Sequence, residues 1–225
     1  MAFSADGTSF ITGSADGFLE LWDPGSGSLR TDLEYQAEDK LMAHEAGCSI
    51  LCIAASADGK HMASGASGGE LRIWRLSTGT CLRVVARAHT QGVTAISFLK
   101  GDLQVLSGGY DGVVRLRGLK SGNILKEFHG HTSFVNAVLV SASEELMASG
   151  SADGTVRLWN LRDASDACPP LSWSKLTSRL NEGPPPPAAD GGTGTPRDAS
   201  VIQLLAVPGR KDLFIAVAKV GVVSI

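Results

Sequence analysis

Aromatic residues make up only 6 % of this 225-residue chain and charged residues 19 %, with 20 Lys+Arg against 23 Asp+Glu. A net charge of −3 lacks the basic excess through which phosphate neutralisation drives nucleic-acid binding, so direct binding to nucleic acid is not expected. Apolar stretches such as Leu213–Ala218 fall far short of the roughly 20 residues of a membrane-spanning helix. No Ala/Glu/Lys/Leu/Arg-rich block occurs, which argues against a helical bundle or coiled coil. Met1 is followed by Phe3-Ser4-Ala5-Asp6-Gly7 rather than by a basic region and an apolar core. No secretory signal is readable, and an intracellular chain is expected. The four cysteines, Cys48, Cys52, Cys81 and Cys168, include no C-x-x-C pair, which excludes the common zinc-ribbon and redox spacings. Cys48 and Cys52, placed on one face of a strand, would lie about 13 Å apart and out of disulfide reach. All four read as small hydrophobes.

What is abundant is glycine: 27 residues, about 12 % against a background of roughly 7 %. Much of it falls in four aligned segments, GSADGFLELWD at 13–23, GASGGELRIWR at 65–75, GGYDGVVRLRG at 108–118 and GSADGTVRLWN at 150–160. With Trp22, Trp74, Arg117 and Trp159 as equivalent points, the spacings are 52, 43 and 42 residues. A period of about 40–45 is that of a four-stranded propeller blade. Within one repeat, Phe134–Val140, Leu146–Ser151 and the alternating Thr155–Asn160 read as three strands, with Asp153-Gly154 as the hairpin signal between the last two. A fourth strand follows a further turn, as at Cys81–Val85 after Ser77-Thr78-Gly79 and at Ile124–Phe128 after Lys120-Ser121-Gly122. The chain is therefore expected to be all-β, each repeat an antiparallel meander.

A histidine stands upstream of three segments, in Ala43-His44, Ala88-His89 and Gly130-His131, at 24, 22 and 22 residues before the turn position. Together with the Trp22-Asp23 terminator, these features resemble the WD-repeat β-propeller family. Other stretches lie outside the generic repeat positions: Leu33–Asp39, Cys81-Leu82-Arg83 with Arg87-Ala88-His89, Gly118–Gly122 with Leu125–Phe128, and His131–Asn136. Within the family these resemble the SMU-type pre-mRNA splicing factors, well over residues 1–162 and weakly over 200–225. The resemblance implies a ring of about seven blades, of which about four to five are expected here. Blades one to four would fill 1–180, with the first truncated, and 200–225 would be an incomplete fifth. Both ends are read as cut inside a blade, so that this chain alone does not close the ring. Residues 181–199, NEGPPPPAADGGTGTPRDA, have almost no apolar content and four consecutive prolines. They are expected to be a disordered insertion, a proline-rich ligand being the functional alternative.

The chemistry-bearing residues recur at the repeat period. By resemblance, His131, a strand serine (Ser149 or Ser151), Asp153 and Trp159 match the family's structural network, in which a turn carboxylate orients the imidazole and the indole N–H finds an acceptor. His44, Trp74, His89, Asp111, Asp16 and Trp22 are the counterparts in other repeats. Two sets read as incomplete, with Gly68 in place of the carboxylate and Arg117 in place of the Trp, and those blades are expected to be weaker. Arg117 is expected to reach solvent or a carboxylate, since an unpaired buried charge costs several kcal/mol. A Ser/His/Asp set invites a hydrolase reading, but sets repeated between strands offer neither an exposed cleft nor oxyanion donors, so no catalytic residue is assigned. His129-Gly130-His131 lacks the further ligands of a metal site. The Asp-Gly pairs at 6, 16, 58, 111 and 153 read as hairpin turns rather than calcium ligands. No cofactor and no metal are expected.

Function must then come from the surface. The residue before the turn aspartate, a frequent contact position in the family, is Ala15, Ser67, Tyr110 or Ala152, and only Tyr110 is large. Tyr110, Lys120, Ser133, Phe134 and Asn136 are the candidate partner contacts, on one rim or on two faces acting separately. Arg72, Arg75, Arg115, Arg117 and Arg157 on the third strands could form a basic stripe, and most of them read as solvated ends on snorkelling stems. The resemblance implies a nuclear, non-catalytic scaffold that docks spliceosomal proteins, a RED-type partner among them, without membrane, nucleic acid or small-molecule substrate. A substrate receptor of a ubiquitin ligase is the alternative, although no helical ligase-docking segment is readable.

Overall fold

The computed structural model describes residues 1–30, 43–44, 47–101, 103–172, 200–206, 214–218 and 221–224. Among them there is no helix, and the strands form five antiparallel sheets. The first holds β1 (Ala2–Phe3), β2 (Phe10–Gly13), β3 (Leu19–Asp23) and β4 (Ser28–Leu29). The second holds β5 (Ile50–Ala55), β6 (His61–Ala66), β7 (Leu71–Arg75) and β8 (Cys81–Val85). The third holds β9 (Val93–Phe98), β10 (Gln104–Gly109), β11 (Val114–Gly118) and β12 (Ile124–Phe128). The fourth holds β13 (Val135–Val140), β14 (Leu146–Ser151), β15 (Thr155–Asn160) and β16 (Leu171–Ser172), and the last β17 (Val201–Ala206), β18 (Phe214–Ala218) and β19 (Gly221–Ser224). Each sheet is a meander in chain order, as the repeat pattern predicts. Residues 181–199, expected as an insertion, and Leu33–Asp39 lie outside the described residues.

The opening strands β5, β9, β13 and β17 pack side by side, so the sheets stand face to face around one axis as propeller blades. Burial follows from that stacking. The second strands β6, β10 and β14 have neighbours on both edges and sheets on both faces, and each is buried from its second residue onward. Their sequences, HMASGA, QVLSGG and LMASGS, are correspondingly short-chained. There is no single core. One cluster joins the third and fourth sheets through Leu106, Leu116, Phe128, Val135, Met147 and Trp159, and comparable clusters fill the other three interfaces.

Two backbone devices set the spacing. A Cβ on Gly108 would come within 2.6 Å of Val135 Cγ1, and one on Gly150 within 2.5 Å of Val201 Cγ1. The second strand of one blade thus receives the first β-branched side chain of the next only because it carries glycine. In addition, Cys52 Sγ donates to Val93 O at 3.2 Å, Thr94 Oγ1 to Val135 O, and Asn136 Nδ2 to Val201 O at 2.8 Å. Each opening strand is pinned to its successor by a side-chain donor. The burial that pushes the Cys52 thiol up to about 12 comes from the same interface.

Two cysteine expectations change. Cys48 precedes β5 rather than sharing it with Cys52, and Cys81 is exposed on the outer strand β8 instead of buried.

Candidate functional site

The fourth sheet shows the recurring constellation in full. Trp159 on β15 donates its Nε1–H to Ser149 Oγ on β14 at 2.7 Å, and His131 Nε2 lies 2.7 Å from the same oxygen. On its other side, His131 Nδ1 is 2.9 Å from Asp153 Oδ2. An indole N–H can only donate, so the Ser149 hydroxyl accepts from it and gives its own proton to His131 Nε2, which leaves Nδ1–H for the carboxylate. The backbone N–H of Thr132 at 3.0 Å and the Thr155 hydroxyl at 2.6 Å complete the shell of Asp153. Burial opposes its charge, but the hydrogen bonds from His131 and Thr155 outweigh that and hold the carboxyl well below the usual range. The serine of the set is Ser149; Ser151 instead donates to Ser133 O at 3.2 Å.

The second sheet departs from expectation. Gly68 supplies no carboxylate, yet Glu70, beyond the same turn, brings Oε1 to 2.7 Å from His44 Nδ1. This is an ion-pair distance without the alignment of a hydrogen bond. Trp74 Nε1 donates to Ser64 Oγ at 2.8 Å and His44 Nε2 lies 2.7 Å from it, so the set is complete. A Cβ at position 68 would lie 2.8 Å from Cys48 Sγ, and the acid comes from position 70 instead. Arg72 Nε donates to Glu70 at 2.5 Å and its Nη1 to Ala43 O at 2.6 Å. Burial pushes the His44 imidazole down to about 4. Glu70 pulls against that shift and Arg72 adds to it. The sequence signal was present, a glutamate directly after the Gly68-Gly69 turn, but it stands outside the aligned position.

In the third sheet His89 bridges Ser107 Oγ at 2.9 Å and Asp111 Oδ1 at 2.8 Å, and Arg115 Nη1 donates to Asp111 Oδ2 at 2.7 Å. Arg117 occupies the Trp position and is buried, 5 % exposed, contrary to the expectation that it reaches solvent or an acid. Carbonyls accept from its terminal nitrogens instead, Ala88 O at 2.8 Å and Gly122 O at 3.1 Å, while its buried Nε finds no hydrogen-bond partner among the described residues. Its burial, reinforced by the Arg115 charge, lowers its pKa. In the first sheet Trp22 donates to Thr12 Oγ1 at 2.9 Å, while Asp16 is exposed and no histidine among the described residues stands against it.

The candidate contact residues do not form one surface. Tyr110 and Phe134 meet, ring centroids 4.8 Å apart at 61°, and both are exposed. Lys120 lies in the turn at the opposite end of β11, where its carbonyl accepts from Arg83. Asn136 is spent on Val201 O, and Ser133 is half-buried.

Chemically, the His–Ser–acid sets have no reach. Ser64, Ser107 and Ser149 are fully buried, each hydroxyl engaged by an imidazole and two of them also by an indole. Nothing can approach such an oxygen as an electrophile without parting two strands. No group of three or more His, Cys, Asp or Glu suited to a metal ion occurs among the described residues, and no helix among them is long and apolar enough to cross a membrane.

The family model described as WD domain, G-beta repeat matches residues 1–23, 36–75, 79–117 and 122–160. The chain belongs to the WD40 repeat family. The WD40 repeat-containing protein smu1 of Dictyostelium discoideum is 41 % identical over 162 residues, covering 72 % of this chain and 30 % of that protein. Autophagy-related protein 16 of Arabidopsis thaliana is 30 % identical over 141 residues, covering 63 % of this chain and 26 % of that protein. The chain thus spans less than a third of the length of these WD40 relatives. A chain in the crystal structure of the mitotic checkpoint complex shares the fold, with a TM-score of 0.72 at 17 % identity, covering 96 % of this chain and 55 % of that one.

Proposed function

We propose that this WD40 chain is a non-catalytic protein-interaction scaffold of the nuclear pre-mRNA splicing machinery. The observation that carries the reading is the 41 % identity to smu1 over 162 residues, 72 % of this chain. The turn glycines, buried serines and strand tryptophans are requirements of the repeat, whereas the Gly118–Gly122 connection and the exposed Phe134 are not, and these carry the splicing-factor resemblance. The non-catalytic part of this reading rests on the full burial of Ser64, Ser107 and Ser149 in the sets among the described residues.

The test is affinity purification of the tagged full-length protein from nuclear extract treated with nuclease. Enrichment of spliceosomal proteins, a RED-type partner among them, is the expected result. Enrichment of cullin adaptors instead, or of neither group, would contradict it.

A further inference from the structure

The third and fourth strands of the first four sheets are joined by the same turn. It is closed by the N–H of Gly27, Gly79, Gly122 or Ala164, donating at 2.8–3.0 Å to the carbonyl four residues earlier. The residue before each of these is Ser26, Thr78, Ser121 or Asp163, and its side-chain oxygen accepts from the backbone N–H two residues on. Beyond that shared bond the four differ. The Ser26 hydroxyl is engaged by Asp23 and Ser28, and the Thr78 hydroxyl by Thr80. In the third sheet Gly118 stands where the first has Asp23, and Asn123 where the others have Ser28, Thr80 and Ser165. The exposed Ser121 hydroxyl therefore accepts from the Asn123 N–H at 3.2 Å, while its own proton has no acceptor among the described residues.

The surroundings of this turn are cationic. Lys120 precedes Ser121 and is exposed. Arg83, on β8 of the preceding sheet, donates to Lys120 O, and its Cδ lies 3.5 Å from the place of a Cβ on Gly122. From behind, Arg117 donates to Gly122 O at 3.1 Å. None of the three forms a salt bridge among the described residues. The next seam repeats the arrangement with an acid in place. Lys126 stands in β12 where Arg83 stands in β8, and it donates to Leu161 O and Arg162 O of the following turn. Beside them is Asp163, at the Ser121 position, its carboxyl held low by the hydrogen bonds of Ser165 with the Lys126 charge adding to them. The turn thus holds an anion at this position, facing a cation from the preceding sheet. At Ser121 the cations are present and the anion is missing.

We propose that Ser121 is a phosphorylation site, and that its phosphate closes the seam between the second and third sheets by pairing with Lys120 and Arg83. The donor is ATP, delivered by a serine kinase that accepts a lysine before the target. Ser121 Oγ bonds to the γ-phosphorus, the bond from that phosphorus to the β,γ-bridging oxygen breaks, ADP leaves with the electron pair, and the hydroxyl proton passes to the kinase's base. Three phosphate oxygens with a charge of roughly −1.5 to −2 take the part that a single carboxylate plays at Asp163. Arg83 spends only Nη2 on Lys120 O, so its other guanidinium donors remain for the phosphate. The proposal goes beyond the scaffold reading and does not rest on it.

Two measurements test it. The tagged full-length protein is isolated from its own cells with phosphatase inhibitors present, and its phosphopeptides are mapped by mass spectrometry. Phosphate on Ser121 is expected at several-fold higher occupancy than on Ser26 or Thr78. An unphosphorylated Ser121 peptide, or equal occupancy at the three turns, overturns the proposal. In the second measurement phosphoserine is placed at 121 of the full-length chain by genetic incorporation. Its phosphorus resonance should titrate below the ordinary second pKa of about 6, and the melting midpoint should rise by about 2 °C or more over the unmodified protein. Both effects should be lost in Lys120→Gln/Arg83→Gln, compared with the same variant carrying unmodified serine so that any cost of the substitutions cancels. A midpoint that is unchanged or lowered by the phosphate overturns the pairing, as does a gain that survives the double variant.

Discussion

Glu70 reaches His44 from the far side of its turn, and this changes what histidine substitutions should do. His44→Ala and His131→Ala each leave a buried serine hydroxyl without its acceptor and remove one partner from an acid that keeps its others, so each should cost roughly 1–3 kcal/mol. Equal shifts in denaturant midpoint are expected; a negligible shift for His44→Ala would mean that Glu70 is no part of the set. The pH dependence follows from the same residues. His44 is held down to about 4 by burial, while an unfolded imidazole titrates at about 6.5, so between these values the unfolded chain binds more protons. Stability should therefore fall as pH drops from about 6.5 to about 4, and flatten on this account below that. Asp111 and Asp153, held low by their histidine, Arg115 and Thr155 partners against the cost of burial, contribute stability above about pH 3.9 that is lost on further acidification. In His44→Ala the limb between about 6.5 and 4 should shrink, and an unchanged limb would contradict its origin. A substitution that relieves backbone strain should stabilise. Ala164 has φ +61°, at a turn position where Gly79 and Gly122 have φ +68° and +72°. Ala164→Gly should relieve about 1–2 kcal/mol of left-handed strain and return part of it as unfolded-state entropy, for a net gain of about 0.5 kcal/mol in the denaturant midpoint.

At the scale of the element, the strands were the legible part of the sequence. Leu146–Ser151, Thr155–Asn160, Cys81–Val85 and Ile124–Phe128 form as the hairpin signals and alternation predict, because a strand between two turns is specified within about ten residues of chain. Contacts closed across turns and sheets were not legible. The Glu70 carboxylate, the Arg117 cap on Ala88 O and the Asn136 bond to Val201 all depend on which loop arrives opposite, and no local pattern encodes that. Of the candidate contacts, Tyr110 and Phe134 come together, while Lys120 sits at the other end of β11. Two substitutions probe the packing of elements. Gly150→Ala forces β14 away from Val201 and should cost about 1–3 kcal/mol; an unchanged melting midpoint would show that the sheets are not held at that spacing. Arg117→Trp replaces a buried guanidinium by the residue that donates to the strand serine in the second and fourth sheets, and should raise stability by about 1–4 kcal/mol, read from chemical denaturation. A loss of stability would mean that the bonds to Ala88 O and Gly122 O are worth more than an indole in that slot.

At the scale of the molecule, the recurring His–Ser–acid sets are among the least accessible of the described residues. His44, His89 and His131, with Ser64, Ser107 and Ser149 and their acids Glu70, Asp111 and Asp153, sit between strands and register them, whereas Leu51, Tyr110 and Phe134 remain at the surface. A scaffold of this kind separates stability from binding, and the two should respond to different substitutions. The direct measurement compares wild type with His131→Ala in full-length protein, at a temperature where both are folded, recording the denaturant midpoint and the recovery of splicing proteins per folded molecule. The expected result is a midpoint lowered by roughly 1–3 kcal/mol with partner recovery unchanged. Recovery falling to background while the fold stays intact would show that the buried set itself carries the function.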